Sequence, residues 1–197
     1  AKLIDDLGVA YIEGGWPGAS PKEEEFFETA KSELNLKNAK LVSFGSTRKL
    51  DLPVEDDPQV KALVDSGTDY VCIVGKSSKL HITKALQTDV ESAIDMAVDT
   101  ILYLKSKGKK VFFDAEHFFD GYKEDSVTSL KILEAVISAG TDCFIFCDTN
   151  GGTLPEEVRK ILTEIMDKYP KTKFGVHFQN DNGCAVVNSM VAVDLGV

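Results

Sequence analysis

Six short apolar runs recur at nearly constant spacing along this chain of 197 residues, and polar residues end each run. The landmarks at the six runs are Glu13, Ser43, Val74, Asp114, Cys147 and His177. Successive landmarks lie 30, 31, 40, 33 and 30 residues apart. Each interval has the length of one strand, one helix and two short loops. The spacing therefore predicts a repeated β/α unit.

Helix start and stop signals lie between the apolar runs. Three hydroxyl residues precede a carboxylate by three positions, which is the spacing of a capping box and predicts helix N-caps. Three glycines follow apolar helical patterns, where a left-handed residue commonly ends a helix. The predicted N-caps are Ser20, Thr88 and Thr153, and the predicted terminal glycines are Gly67, Gly108 and Gly140.

The apolar runs are almost continuous, so both faces of each strand should be covered, as in a parallel sheet wrapped by helices. Polar residues end nearly every strand, which favours a closed barrel over an open doubly wound sheet. We predict an α/β fold, a TIM (β/α)8 barrel truncated to about six strands, with residues 1–197 as a single partial catalytic domain. Residues 1–8 resemble a helix end and residues 191–197 lead toward another strand, so the first and last strands are expected to be missing.

Composition narrows the class of protein. Hydrophobic residues make up 43% of the chain, and the net charge of −10 argues against a nucleic-acid partner. No apolar run is long enough to span a bilayer and no signal peptide is recognisable, so we expect a cytoplasmic protein without a membrane partner. The four cysteines show no CxxC pairing, which favours buried reduced thiols over disulfides or a zinc site.

The segment that ends the sixth run offers ligands for a metal ion. Alternate residues of a strand point the same way, so His177 and Gln179 can share a face. An imidazole binds divalent ions well, whereas a Gln carbonyl is a weaker oxygen ligand. Asn180 and Asp181 follow directly. From the residues alone, a structural hydrogen-bonding role for this group is an open alternative to a metal site.

A pair of carboxylates ends the fourth run. Asp114 and Glu116 are two residues apart and therefore also share a face of their strand. Paired carboxylates at a barrel mouth can carry out acid–base catalysis. Because solvated carboxylates are common on loops, a surface role is the alternative.

Two glycine-bearing loops are candidate substrate sites. Thr149 and Asn150 precede Gly151 and Gly152, and glycines permit close approach of a small polar ligand to the backbone. Glu13 precedes a second glycine pair and is a third candidate. The alternative for the first loop is an ordinary turn that links strand and helix.

Four segments together resemble the citramalate branch of a metal-dependent condensing family. That family includes 2-isopropylmalate synthase, homocitrate synthase and hydroxymethylglutaryl-CoA lyase. The segments are residues 12–18 (IEGGWPG), 44–48 (FGSTR), 114–123 (DAEHFFDGYK) and 147–155 (CDTNGGTLP). The resemblance extends over essentially the whole chain.

The resemblance implies a TIM barrel that condenses acetyl-CoA with pyruvate and hydrolyses the thioester, giving (R)-citramalate and CoA. It implies a divalent ion (Mg²⁺, Mn²⁺ or Zn²⁺) with His177 as a ligand, and Glu116 at the catalytic centre. By the same resemblance Thr149 binds the keto-acid carboxylate, and Asn180 and Asp181 orient the ligands. A homodimer or larger homo-oligomer is expected, because missing strands would leave sheet edges open.

Two departures from the family pattern qualify these expectations. Gln179 stands where the family usually has the second histidine of a His-x-His pair. The family's first-strand aspartate and arginine motif and its asparagine-bearing last segment are absent, so the 197 residues alone are expected to be inactive. The alternatives are a related synthase that uses a larger 2-keto acid and a non-catalytic scaffold.

Overall fold

The computed structural model describes residues 1–197 and alternates six strands with helices. The strands are β1 (Tyr11–Glu13), β2 (Lys40–Ser46), β3 (Tyr70–Lys76), β4 (Lys110–Glu116), β5 (Cys143–Asp148) and β6 (Phe174–Phe178). The helices are α1 (Lys2–Asp5), α2 (Pro21–Glu33), α3 (Pro58–Asp65), α4 (Lys79–Lys84), α5 (Val90–Ser106), α6 (Phe118–Ser138), α7 (Pro155–Lys168) and α8 (Ala185–Leu195). The short helix α4 accounts for the one long interval in the sequence repeat.

The strands form one six-stranded sheet in which their spatial order follows their order in the chain. The pairs β1–β2, β2–β3 and β5–β6 are parallel. A doubly wound sheet reverses its strand order at a switch point, whereas a TIM barrel adds strands sequentially. The sequential order therefore confirms the predicted partial TIM barrel of six strands.

The chain divides into two compact units. The first consists of Ala1–Val74 and Met96–Phe112, and the second of Gly75–Asp95 and Phe113–Val197. The three boundaries fall within β3, within α5 and close to the middle of β4. The assignment of residues 1–197 to a single domain stays a prediction.

In the first unit, Arg48 organises the loop that follows β2. Its Nε donates a hydrogen bond of 2.9 Å to Asp99, and its Nη1 donates to three backbone carbonyl groups of the loop. At the end of this loop, Asp57 caps α3 by accepting from the Gln59 N–H at 2.8 Å. One largely buried guanidinium thus satisfies backbone groups that no sheet or helix pairs.

In the second unit, the alternation of side chains along β5 separates an aromatic face from a face that carries sulfur. Phe144 and Phe146 are fully buried, and their ring centroids lie 5.6 and 4.8 Å from that of Phe118 in α6. Because successive strand residues point to opposite faces, Cys143 and Cys147 lie on the face away from this helix. The aromatic packing therefore decides which face of β5 is available to a site.

The predicted helix N-caps and terminal glycines are confirmed in part. Ser20 caps α2, where it accepts from the Glu23 N–H at 3.4 Å. The prediction for Thr88 was wrong, because Asp89 accepts from the first turn of α5 at 2.8 Å. The prediction for Thr153 was also wrong: Leu154 is the N-cap of α7. All three terminal glycines have positive φ, between 79 and 87°.

None of the four cysteines forms a disulfide, and Cys72 and Cys147 are buried, whereas Cys143 and Cys184 are partly exposed. None of the helices combines the length and the apolar character that crossing a membrane would need.

Gly121 of α6 is a site where a methyl group should be costly. A Cβ atom there would lie 2.8 Å from both the Ser77 carbonyl oxygen and the Ser78 Cα, which are backbone atoms. We expect Gly121→Ala to lower the free energy of unfolding by about 1–3 kcal/mol, measured by urea denaturation. Gly152→Ala is the matched control, because no atom lies within 4 Å of the position that its Cβ would take. Equal stability of the two variants would contradict this account.

Candidate functional site

Three potential metal ligands from neighbouring strands meet in the second unit. The ligand atoms of Asp114, Cys147 and His177 all lie within 4.8 Å of one another. His177 Nδ1 is 3.5 Å from Asp114 Oδ2. Cys147 and His177 are direct partners in the parallel β5–β6 pair, so their side chains lie side by side. We call these three residues the β4–β6 cluster.

The cluster is buried on one side and open on the other. Asp114 and Cys147 are only 7% and 5% exposed. The His177 side chain is 55% exposed. A carboxylate, a thiol and an imidazole that surround one point suit a divalent ion, and the exposed imidazole leaves a path to it from solvent.

Glu116 lies two residues beyond Asp114 and is held by contacts to the end of β3. Its carboxylate forms an ion pair with Lys76, and both side chains are about one quarter exposed. Its backbone carbonyl accepts from the Ser77 N–H at 3.0 Å and from the Ser77 hydroxyl at 2.7 Å. These contacts fix the carboxylate in place while leaving it accessible to a substrate.

His117 joins β4 to α6 in an unusual backbone conformation. Its φ of 59° and ψ of 32° are left-handed, which is uncommon for a residue other than glycine. Its N–H donates to Thr149 Oγ1 at 2.8 Å. Its ring stacks on that of His81, with centroids 3.6 Å apart and planes 5° apart. Burial, followed by the nearby His81, holds the pKa of His117 below its ordinary value.

The loop after β5 is polar and is held by several side-chain hydrogen bonds. Asp148 is 1% exposed and accepts from the Thr153 N–H at 3.1 Å and its hydroxyl at 2.8 Å. Asn150 donates to Asp120 at 2.6 Å. Gly151 has a φ of 61°, and a Cβ there would meet Asp181 Oδ2 at 2.5 Å. Glycine is therefore required where the loops after β5 and β6 approach each other.

The structure brings together several of the residues that the sequence singled out. Asp114 and His177 belong to one cluster, and Thr149 lies next to the residue that follows Glu116. Asn180 Oδ1 accepts from the Ala185 N–H at 3.1 Å, at the start of α8. The functional roles assigned to these residues stay predictions.

Glu13 and Gln179 are the two remaining candidates. Glu13 ends β1 in the first unit and is exposed. Gln179 follows β6, is exposed, and donates its backbone N–H to the Asp148 carbonyl at 3.3 Å. Their roles in binding substrate and metal also stay predictions.

Two contributors are not recognisable as site residues in the sequence. The pattern indicates only a buried thiol at Cys147, although this residue stands 30 positions before His177, at the same place in the repeat. Lys76 belongs to none of the motifs described above, and it pairs with Glu116 across 40 residues of sequence. The regular interval between strand ends is the one feature of the sequence that could have indicated that Cys147 lies beside His177.

Comparisons with known proteins agree on the fold. The family model described as HMGL-like matches residues 1–197. The chain is similar in structure to a crystal structure of Bacillus subtilis HMG-CoA lyase, with a TM-score of 0.78 at 18% identity, covering 98% of this chain and 65% of that one. This similarity supports the partial TIM barrel.

Comparison with proteins of similar sequence gives more detail than comparison of folds. The chain is 47% identical to an (R)-citramalate synthase of Aquifex aeolicus and 43% identical to one of Streptomyces coelicolor, each over 196 residues and all of this chain. A 2-isopropylmalate synthase of Methanocaldococcus jannaschii is 33% identical over 98% of this chain and 35% of its own length. The chain spans 37% and 36% of the two citramalate synthases.

The stacked histidines provide a test by pH titration. His81→Phe keeps an aromatic ring against His117 and removes the neighbour whose Coulombic effect lowers the His117 pKa, so this pKa should rise while remaining below its ordinary value, because burial persists. NMR titration of the His117 ring protons measures this shift. Thr83→Ala, on the exposed side of α4, is the control and should leave the titration unchanged.

The lowered pKa of His117 also makes the stability of the folded protein depend on pH. Below 6.5 the unfolded chain binds a proton at this position more readily than the folded protein, so His117 should reduce stability as the pH falls through that value. An ordinary His117 pKa in the wild type, or no change in His81→Phe, would contradict this packing of the two rings.

Proposed function

The chain belongs to the HMGL-like family, and we propose that it is the catalytic region of an enzyme that condenses acetyl-CoA with pyruvate. The products would be (R)-citramalate and CoA. The observation that carries the proposal is on β4, where the ion-paired carboxylate of Glu116 stands two residues from Asp114 of the β4–β6 cluster. A base and a cation site thus lie side by side, as a condensation of this kind requires.

The comparison with sequence relatives supports pyruvate as the keto acid. Identity is 47% to a relative named citramalate synthase, and it falls to 33% and 31% for relatives named 2-isopropylmalate synthase and homocitrate synthase. We also propose that the enzyme acts in the cytoplasm and as a homo-oligomer.

The β4–β6 cluster fits the divalent ion that this reaction would use. We assign His177 and Asp114 as two residues that would hold it, because their ligand atoms are 3.5 Å apart. When bound, the ion would draw electron density from the keto group of pyruvate and make its carbon electrophilic. His177, the exposed member, faces the side from which a substrate can arrive.

Glu116 is the proposed base. Its carboxylate would take a proton from the acetyl methyl group, and the resulting carbon nucleophile would form a bond to the keto carbon of pyruvate. Lys76 holds this carboxylate in position through their ion pair. The keto oxygen then gains a proton, and water cleaves the thioester and releases CoA as a thiol.

Thr149 is the proposed contact for the pyruvate carboxylate. Because its Oγ1 accepts the His117 N–H at 2.8 Å, the hydroxyl hydrogen is directed away from His117 and can be donated to a carboxylate oxygen. The bond to the backbone also holds this hydroxyl close to the base, since His117 directly follows Glu116. Two hydrogen bonds from Thr153 to Asp148 tie the two ends of this loop together.

The direct test is acetyl-CoA-dependent release of free thiol by the full-length protein with Mn²⁺ present. We expect release with pyruvate and little with 2-ketoisovalerate or 2-ketoglutarate. Release mainly with one of the larger keto acids would favour a related synthase instead. No release with any keto acid would favour a non-catalytic scaffold.

In the same assay, Glu116→Gln should lower kcat by about 10²–10⁴-fold, because the amide cannot accept the methyl proton. Glu91→Gln is a matched control, since Glu91 is likewise paired with a lysine, Lys131, but at an exposed position. Wild-type turnover by Glu116→Gln would rule out Glu116 as the base. An equal loss in Glu91→Gln would indicate a general effect of removing an ion pair.

A further inference from the structure

The short helix α4 interrupts the regular repeat and brings His81 to the end of β4. The residues that lead into this helix are buried, since Ser77 and Ser78 are 0% and 1% exposed. The Ser77 carbonyl oxygen accepts from the Ser129 hydroxyl at 2.9 Å, and the absence of a side chain at Gly121 lets α6 approach Ser78 closely. Buried contacts of the preceding residues therefore determine where His81 lies.

The ring of His81 is the surface on which the ring of His117 packs. The centroids are 3.6 Å apart and the planes differ by 5°. The Nδ1 atoms of both rings are buried and have no hydrogen-bond partner. His117 Nε2 is 3.9 Å from Glu116 Oε1, and His117 Nδ1 is 3.8 Å from Asp120 Oδ2, and both distances exceed that of a hydrogen bond. The contact between the rings is therefore a main constraint on the His117 side chain.

The backbone of His117 needs such a constraint. Its φ of 59° is left-handed, a conformation that costs free energy for a residue with a Cβ atom and persists only where its surroundings impose it. Two contacts impose it here, the stacking on His81 and the hydrogen bond of 2.8 Å from the His117 N–H to Thr149 Oγ1. A change of His117 to the right-handed region would turn this N–H away from Thr149. The stacking and the hydrogen bond therefore support each other.

We propose that His81 is a positioning residue for the keto acid. Its ring holds His117 in the left-handed conformation, and the His117 N–H in turn orients the Thr149 hydroxyl toward the keto-acid carboxylate. This inference rests on the proposed function, which assigns Thr149 to that carboxylate. Glu116 is held separately, by its ion pair with Lys76 and by the Ser77 hydroxyl. Loss of the His81 ring should therefore weaken binding of the keto acid more than it slows proton transfer.

The first test is steady-state kinetics of the full-length protein, with pyruvate and acetyl-CoA varied separately. In His81→Ala the KM for pyruvate should rise about tenfold or more, the effect of losing one hydrogen bond to a charged group. The kcat should change less than about threefold, and the KM for acetyl-CoA should stay the same. His81→Phe keeps a flat ring and should recover most of the affinity. Thr83→Ala is the matched control, because Thr83 is exposed on the same helix.

A double-mutant cycle shows whether His81 acts through Thr149. Thr149→Val removes the hydroxyl, so adding His81→Ala should raise the KM for pyruvate no further. Additive effects in the double variant, or an unchanged KM in His81→Ala, would overturn the inference. His81→Leu fills the space without a flat ring and gives the same test if the alanine variant does not fold.

Hydrogen–deuterium exchange followed by mass spectrometry tests the same contacts without turnover. Peptides that contain the His117 amide should exchange faster in His81→Ala than in the wild type and in His81→Phe, because the bond to Thr149 is weakened. Peptides from α7 should be unaffected, which shows that the fold is kept. Unchanged exchange at His117 would overturn the inference whatever the assay gives. Protection that depends on His81, without turnover of any keto acid by the wild type, would refute the proposed function alone.

Discussion

The parallel register between β5 and β6 determines which side chains meet at the site. Phe146 pairs with Val176, and Cys147 pairs with His177. A shift of one residue would turn every side chain of one strand to its opposite face and would separate the thiol from the imidazole. Asp114 shares its face of β4 with Glu116. A shift of one residue in β4 would therefore turn both carboxylates away from the site. The cluster is therefore a consequence of strand pairing more than of any local motif.

Aromatic packing behind the strands stabilises that register. Phe118, Phe144 and Phe146 are fully buried, and each contributes about 1.5–3 kcal/mol through the surface it removes from water. Because this layer occupies one face of β5, the polar residues must use the other. Burying polar groups beside the site costs free energy. Hydrogen bonds offset this cost, such as those that Thr153 donates to the carboxylate of Asp148.

The sequence predicted the strands, the fold and several site residues because they depend on local pattern and regular spacing. Asp114, Glu116 and His177 were recognisable as polar residues at strand ends. Alternation alone assigns a residue to a face, but it does not give the register between strands, so the contact of Cys147 with His177 could not be derived. The stacking of His81 on His117 joins residues 36 positions apart through an inserted helix, for which the repeat gave no signal.

Anomalous diffraction from crystals of the full-length protein grown with Zn²⁺ tests the central claim most directly. Data collected on both sides of the zinc absorption edge locate the ion without reference to activity. We predict a strong peak beside the Asp114 carboxylate and His177 Nδ1. No peak near His177, or a peak away from Asp114, would contradict this account of the site.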